Sequence, residues 1–150
     1  MSTCSIQVYD IDTVFYRANE GEFVFSEIQR NLVSNDWGNS IYFSQSKSIA
    51  EGYLEEGKRS ILTFINTKTI NYILCKHSCF KDSTYEKHMD SIVREIELLV
   101  GVTKPQDSPF MYWLGEIGYA FQCYHDPETD SMETILPLQL MTEENWSIRR

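Results

Sequence analysis

The chain lacks an apolar run approaching the ~20 residues that span a bilayer, so we expect no transmembrane helix. Its first residues also lack the basic start and apolar core of a secretory signal, so any export would use another route. Cations are few: 13 Lys and Arg stand against 22 Asp and Glu, for a net charge of −9. Because nucleic-acid surfaces need clustered Lys and Arg, we expect a small molecule or a protein as the partner, and neither nucleic acid nor a membrane.

Two nucleotide-binding motifs are also missing. No Gly-x-Gly-x-x-Gly segment lies between a strand and a helix, and there is no phosphate-binding loop of the Walker type. The cysteines do not show the paired spacing of a zinc site, so we expect no metal and, in a cytoplasmic fold, reduced thiols. The chain has four of them: Cys4, Cys75, Cys79 and Cys123.

What is present is the composition of one globular domain, residues 1–150. Hydrophobic residues make up 42% of the chain and aromatic residues 13%, and a chain of this length buries about two thirds of its unfolded surface. Residues 84–100 form the clearest helix, because apolar side chains recur at spacings of three and four before Gly101. Segments rich in β-branched and aromatic residues predict strands at 13–18, 40–44 and 59–65, and a strand or turn at 6–10.

The later segments are less regular. Residues 67–74 fit either an extended or a helical conformation. Residues 110–124 predict a helix that is broken near Gly115 and Gly118, and residues 132–140 predict a last strand that is interrupted by Pro137. Because strands and helices mix without regular alternation, we expect an α+β fold rather than a doubly wound sheet.

The stretch from Trp37 to Leu54 is the most informative in the chain. A short strand containing the aromatic pair Tyr42-Phe43 leads into a turn of Ser and Gln. An amphipathic helix follows from residue 46 or 47 to 56, with Tyr53 on its apolar side and Gly57 as its stop.

Two other segments contain side chains suited to the chemistry of a nucleotide. Tyr16-Arg17-Ala18 ends an early strand, and Glu133 lies in an apolar strand, where a carboxylate is costly unless it is solvated or paired. Breaking a nicotinamide–ribose bond requires an anchor for the dinucleotide, an aromatic slot for nicotinamide, and a carboxylate beside the ribose to stabilise positive charge.

Together these segments resemble the ADP-ribosyltransferase superfamily, especially exotoxin A-type and diphtheria-type toxins and the poly-ADP-ribose polymerases. In the toxins, a Gly-Phe-Tyr strand and a helix with Ala and Gly-Tyr resemble residues 38–53 here. Their late Leu-Glu-Thr-Ile-Leu segment, which contains the catalytic glutamate, resembles Met132-Glu133-Thr134-Ile135-Leu136. The resemblance implies a split β-sheet sandwich with flanking helices, and NAD as the substrate.

The chain departs from these toxins at one position, where they have histidine and it has Arg17. The Arg-Ser-Glu branch of the superfamily begins with arginine, but Tyr42 replaces its Ser-Thr-Ser motif, and Ser131 stands where that branch usually has a second carboxylate. Tyr16-Arg17 and Tyr42-Phe43-Ser44 are also similar to the Arg-Glu-Ser family of NAD-degrading toxins. Transfer of ADP-ribose and hydrolysis of NAD therefore both stay open.

The resemblance implies specific roles. Arg17 would hold the adenosine-side ribose or phosphate, while Tyr42 and Tyr53 would clamp nicotinamide. Glu133 would stabilise the oxocarbenium-like ribose and orient the acceptor; the rival carboxylates are Glu116 and Glu51. The implied catalytic residues are Glu133, Tyr42 and Arg17. The implied contacts to NAD are Tyr16, Arg17, Ala18, Gly38, Tyr42, Ser44 and Tyr53.

The function implied is that of a toxin- or effector-type mono-ADP-ribosyltransferase. It would act in the cytoplasm, or after delivery into a target-cell cytosol, on a protein acceptor, and it could have an immunity or regulatory protein as a further partner. The alternatives are an NAD glycohydrolase and an inactive binding module, for which the arginine in place of histidine is the main argument. An RNA 2′-phosphotransferase is disfavoured, because that related fold needs several basic residues and this chain is acidic.

Overall fold

The protein forms two β-sheets and three helices in the part of the chain that the structure describes. This computed structural model describes residues 4–19, 23, 25, 40–52, 54, 60–78, 84–126 and 131–149. Helices and strands follow one another without regular alternation, so the prediction of an α+β fold is confirmed. Within these residues, no helix is both long enough and apolar enough to cross a membrane.

One sheet is mixed and has five strands. In spatial order they are β1 (Cys4–Tyr9), β5 (Ile70–Ser78), β6 (Ala120–Asp126), β7 (Ser131–Pro137) and β3 (Ser40–Phe43). Neighbouring strands are antiparallel except for β5 and β6, which are parallel. A parallel pair requires a crossover connection, and two helices lie in the chain between β5 and β6. The segment that fitted both conformations is therefore extended from Ile70 onward.

The other sheet is antiparallel, with three strands. Their order is β2 (Val14–Asn19), β4 (Ser60–Asn66) and β8 (Trp146–Arg149). The apolar segment predicted at 59–65 is thus a central strand, as expected. The sequence did not predict β8. The predicted interruption of the last strand at Pro137 is confirmed, because β7 ends there; residues 138–140 form a 3-10 helix and do not continue the strand.

The strongest helix prediction is confirmed by α2 (Thr84–Val100). Ile92 and Ile96, four residues apart, are buried on one side of it. Gly101 follows with a φ of 72°, a left-handed conformation that ends helices and suits glycine.

The helix after β3 is shorter than predicted. It is α1 (Lys47–Glu51), and Leu54 is no longer helical, whereas the sequence predicted a helix to residue 56. Gly52 occupies the C-cap. Because glycine costs a helix interior about 1 kcal/mol relative to alanine, Gly52 favours an end here.

The prediction for residues 110–124 is wrong in its second half. The helix α3 (Phe110–Ile117) ends at Gly118, whose φ of 88° suits glycine, and the strand β6 follows. Gly115 does not break the helix. A Cβ atom on Gly115 would lie 2.8 Å from the Cβ of Pro137, so the missing side chain lets α3 pack closely against the end of β7.

Two buried clusters cover the two faces of the five-stranded sheet. The helix-side cluster joins sheet residues such as Ile73 and Ile135 to α2 and α3. The inter-sheet cluster joins the opposite face to the three-stranded sheet, where the rings of Phe43 and Phe64 meet edge to face at 4.8 Å. Side chains that alternate along a strand therefore point into different clusters.

Asn66 connects the turns at one end of both sheets. Its Oδ1 accepts from the backbone N–H of Thr13 at 2.8 Å. Its Nδ2 donates to the carbonyls of Asp10 at 2.8 Å and Lys68 at 2.9 Å. The Asn66 side chain is fully buried, so these bonds replace those that water would make.

The expectation of reduced thiols is wrong, because a disulfide joins Cys4 on β1 to Cys75 on β5. The antiparallel register places these two residues directly opposite each other, with their Cα atoms 4.2 Å apart. Cys123 is not a free thiol either, and Cys79 lies outside the described residues.

Candidate functional site

The two sheets meet where β3 leaves the five-stranded sheet. The N–H of Tyr16 donates to the carbonyl of Ser44 at 2.6 Å, and the N–H of Ser44 donates to the carbonyl of Tyr16 at 2.9 Å. These reciprocal bonds form an antiparallel bridge between β2 and the residue after β3. The segment around Tyr16 and the segment around Tyr42, which are distant in the sequence, are therefore adjacent in the fold.

Arg17 reaches across this junction. Its Nη1 donates a 2.9 Å hydrogen bond to the carbonyl oxygen of Tyr42 on β3. Both residues are half-buried, and Arg17 Nε and the hydroxyl oxygen of Tyr42 are buried atoms, so the protein holds both side chains in place. The structure thus brings together two of the three proposed catalytic residues.

The third, Glu133, lies on the neighbouring strand. Tyr42 is directly opposite Ile135 in the antiparallel register of β3 and β7, and Glu133 is two residues before Ile135. Residues opposite each other, and residues two apart, point to the same face of a sheet. The side chains of Tyr42 and Glu133 therefore share the helix-side face as diagonal neighbours, a relation that places residues about 7–8 Å apart.

The surroundings of Glu133 are unusual for a carboxylate. Glu133 is only 2% exposed, and it lies opposite the buried Cys123 of β6. An ionised carboxylate in such a place is costly unless polar groups compensate it. A glutamate buried in this strand is therefore a candidate for function.

Ser44 shapes the turn that follows β3. It is buried, and its Oγ accepts from the backbone N–H of Ser46 at 3.0 Å. Ser46 is the N-cap of α1, and its side chain bonds the Ser48 hydroxyl at 2.9 Å rather than a backbone N–H of the helix. Ser44 thus stabilises the turn that leads into α1, two residues before the N-cap.

Tyr16 and Ala18 point away from Arg17. Phe15 belongs to the inter-sheet cluster, and alternation along β2 places Arg17 on the same face as Phe15. Tyr16 and Ala18 therefore lie on the outer face of the three-stranded sheet, so their proposed contacts to NAD would involve the backbone more readily than the side chains.

The remaining proposed residues are placed as follows. Gly38 and Tyr53 lie outside the described residues. Glu51 is exposed at the end of α1, and Glu116 is exposed on α3. A hydrogen bond and the negative charge of Glu116 raise the pKa of the exposed Tyr112.

Two polar pairs near the site were not foreseen. The hydroxyls of Tyr9 and Thr134 share a buried hydrogen bond of 2.9 Å, and Gln122 Nε2 donates to Gln45 Oε1 at 3.2 Å. The only signal in the sequence was a polar residue within an apolar strand, as at Gln122. Burial raises the pKa of Tyr9 well above its ordinary value, so this hydroxyl stays protonated.

Near β3 the structure thus has a cation, an aromatic ring and a buried carboxylate. Arg17 can bind phosphate or hydroxyl oxygens, Tyr42 can stack on an aromatic ring, and Glu133 can stabilise positive charge. Among the described residues, no three His, Cys, Asp or Glu side chains are close enough together to hold a metal ion.

The chain matches no protein-family model and no curated protein sequence. A function therefore has to be argued from the site itself.

Proposed function

We propose that this protein is an NAD-dependent mono-ADP-ribosyltransferase of toxin or effector type, which moves ADP-ribose from NAD to a protein acceptor. One observation supports this most strongly. Arg17 is hydrogen-bonded to Tyr42, whose side chain shares a sheet face with Glu133 on the next strand. Three residues from distant parts of the sequence, of the types that this chemistry requires, thus lie near the edge strand β3, with Arg17 on the inter-sheet face and the side chains of Tyr42 and Glu133 on the helix-side face.

In the proposed reaction, the bond between ribose C1′ and the nicotinamide nitrogen breaks. Its electron pair leaves with nicotinamide and neutralises the pyridinium ring, so positive charge develops on the ribose. Glu133 stabilises this charge. A nucleophile of the acceptor then forms the new bond to C1′ from its own electron pair, and its proton is released to water.

Binding of NAD is assigned to the arginine and the tyrosine. Arg17 would hold a phosphate or ribose on the adenosine side, because a guanidinium presents several donors in a fixed plane. Tyr42 would stack on nicotinamide, and Tyr53 and Gly38 join the proposed site on the resemblance alone. The split-sandwich arrangement of the two sheets is part of the same proposal.

The burial of Glu133 has a consequence for this mechanism. At 2% exposure, the carboxylate contacts a ribose only after neighbouring side chains have moved. The same observation favours a second candidate, a module of this fold that binds an ADP-ribose-containing ligand without cleaving it.

Incubation with NAD labelled in its ADP-ribose part, with and without a cell lysate, tests these proposals. Label on protein supports transfer, and free ADP-ribose without labelled protein supports NAD hydrolysis instead. Intact NAD with calorimetric binding supports the non-cleaving module. Neither turnover nor binding contradicts both candidates. The matched controls are Glu133→Gln, which should strongly reduce cleavage of NAD, and Glu116→Gln, which should not.

A further inference from the structure

Tyr9 links the two halves of the site. It ends β1 and is only 4% exposed. Its ring meets Phe15 edge to face at 4.8 Å, and Phe15 is two residues before Arg17 on the same face of β2. Its hydroxyl bonds Thr134 at 2.9 Å, the residue next to Glu133 on β7.

The tyrosine ring itself is held firmly. It stacks on Tyr72 with ring centres 3.8 Å apart and planes inclined by 14°. Ala120 lies opposite Tyr72 in the register of β5 and β6, and its small side chain leaves room on the inter-sheet face. The position of the Tyr9 hydroxyl is therefore set by packing on both sides of the ring.

We propose that Tyr9 is a positioning residue that sets the separation between Arg17 and Glu133, an inference that rests on the proposed function. Its ring supports the strand of the arginine and its hydroxyl supports the strand of the carboxylate. Neither contact touches NAD. Loss of the hydroxyl should shift Glu133 relative to a correctly bound ribose.

The expected signature is kinetic. Glu133 acts mainly on charge that develops in the transition state, whereas Arg17 and Tyr42 bind the ground state. Tyr9→Phe keeps the ring and removes the hydroxyl. It should lower kcat for NAD cleavage by about 10-fold, since displacements near 1 Å cost up to about 100-fold, and leave KM within about 2-fold.

Four further variants separate positioning from packing. Thr134→Val removes the other partner and should reproduce the loss of kcat, and Thr134→Ser keeps the hydroxyl and should restore it. Tyr72→Phe removes a hydroxyl from the stacked ring and should keep wild-type kcat. The double variant Tyr9→Phe/Thr134→Val should be no slower than either single variant, because both break one bond.

The outcomes are distinct. If the wild-type protein cleaves NAD and Tyr9→Phe does so with the same kcat, the positioning role is overturned and the proposed function stands. This holds even if Tyr9→Phe has a lower melting temperature. Failure of Thr134→Ser to restore kcat also counts against it. A wild type that does not cleave NAD overturns both proposals.

Discussion

Replacing Asn66 should destabilise the protein more than any comparable polar substitution on its surface. The side chain makes three hydrogen bonds to the backbone, to Thr13, Asp10 and Lys68, and is fully buried. At about 1 kcal/mol each, Asn66→Ala should lower the free energy of unfolding by about 3 kcal/mol. Backbone groups left without partners would raise this cost.

Asn66→Asp separates the two donated hydrogen bonds from the accepted one. An aspartate keeps the acceptor for Thr13 but turns a carboxylate oxygen toward two carbonyls. It should therefore cost at least the two donated bonds, about 2 kcal/mol. Burial beside carbonyls raises the pKa of such a carboxyl above its unfolded value of about 4. The folded state then binds the extra proton, so the penalty shrinks on acidification and grows as pH rises.

Urea denaturation of the oxidised protein measures both effects. With a slope of about 1–3 kcal/mol per molar urea, a loss of about 3 kcal/mol moves the midpoint down by at least about 1 M. The control is Asn71→Ala, an exposed asparagine on β5, which should change stability by less than about 0.5 kcal/mol. If Asn66→Ala proved as mild as that control, the hydrogen bonds would not stabilise the junction of the turns.

Three further predictions concern the site and its surroundings. Glu133→Gln should retain NAD binding but lower turnover by about 100-fold, because a neutral amide cannot stabilise a cationic transition state; loss of turnover in Glu116→Gln instead would reassign the carboxylate. Tyr42→Ala should weaken NAD binding by about 1–3 kcal/mol in calorimetry, and unchanged affinity in a folded variant would remove Tyr42 from the site. The free energy of unfolding should fall above about pH 10, because burial raises the folded-state pKa of Tyr9 and the unfolded chain therefore loses this proton first. The fall is up to about 1.4 kcal/mol per pH unit for each buried tyrosine. Tyr9→Phe should reduce the slope of unfolding free energy against pH in this range. An unchanged slope would mean that other groups cause the pH dependence.

Secondary structure could be predicted from the sequence where the pattern of apolar residues fits only a helix or only a strand. The spacing of apolar residues in α2 fits only a helix, and the strands around Arg17 and Tyr42 are dense in β-branched and aromatic residues. Residues 110–124 are mostly apolar, and such a run fits a buried helix and a buried strand equally well. Only the left-handed conformation of Gly118 decides where one becomes the other.

For the site, the sequence indicated which segments matter but not how they meet. The register of β3 and β7 follows from turns and long-range pairing, and it determines that Tyr42 and Glu133 share a face. The bond between Tyr9 and Thr134 joins residues 125 positions apart, and no local pattern encodes such a contact. The disulfide escaped prediction for the same reason, since its cysteines are 71 positions apart.

The order of the strands has a consequence for dividing the protein. The chain changes sheet at each of its first four strand connections and again before β8, so neither sheet is built from one continuous stretch. A cut between β4 and β5 would leave both fragments with incomplete sheets, and neither is expected to fold alone. Arg17 and Tyr42 would lie on one fragment and Glu133 on the other. The proposed site would then form only after the two halves associate, so a split version of this protein should show the proposed activity only on complementation.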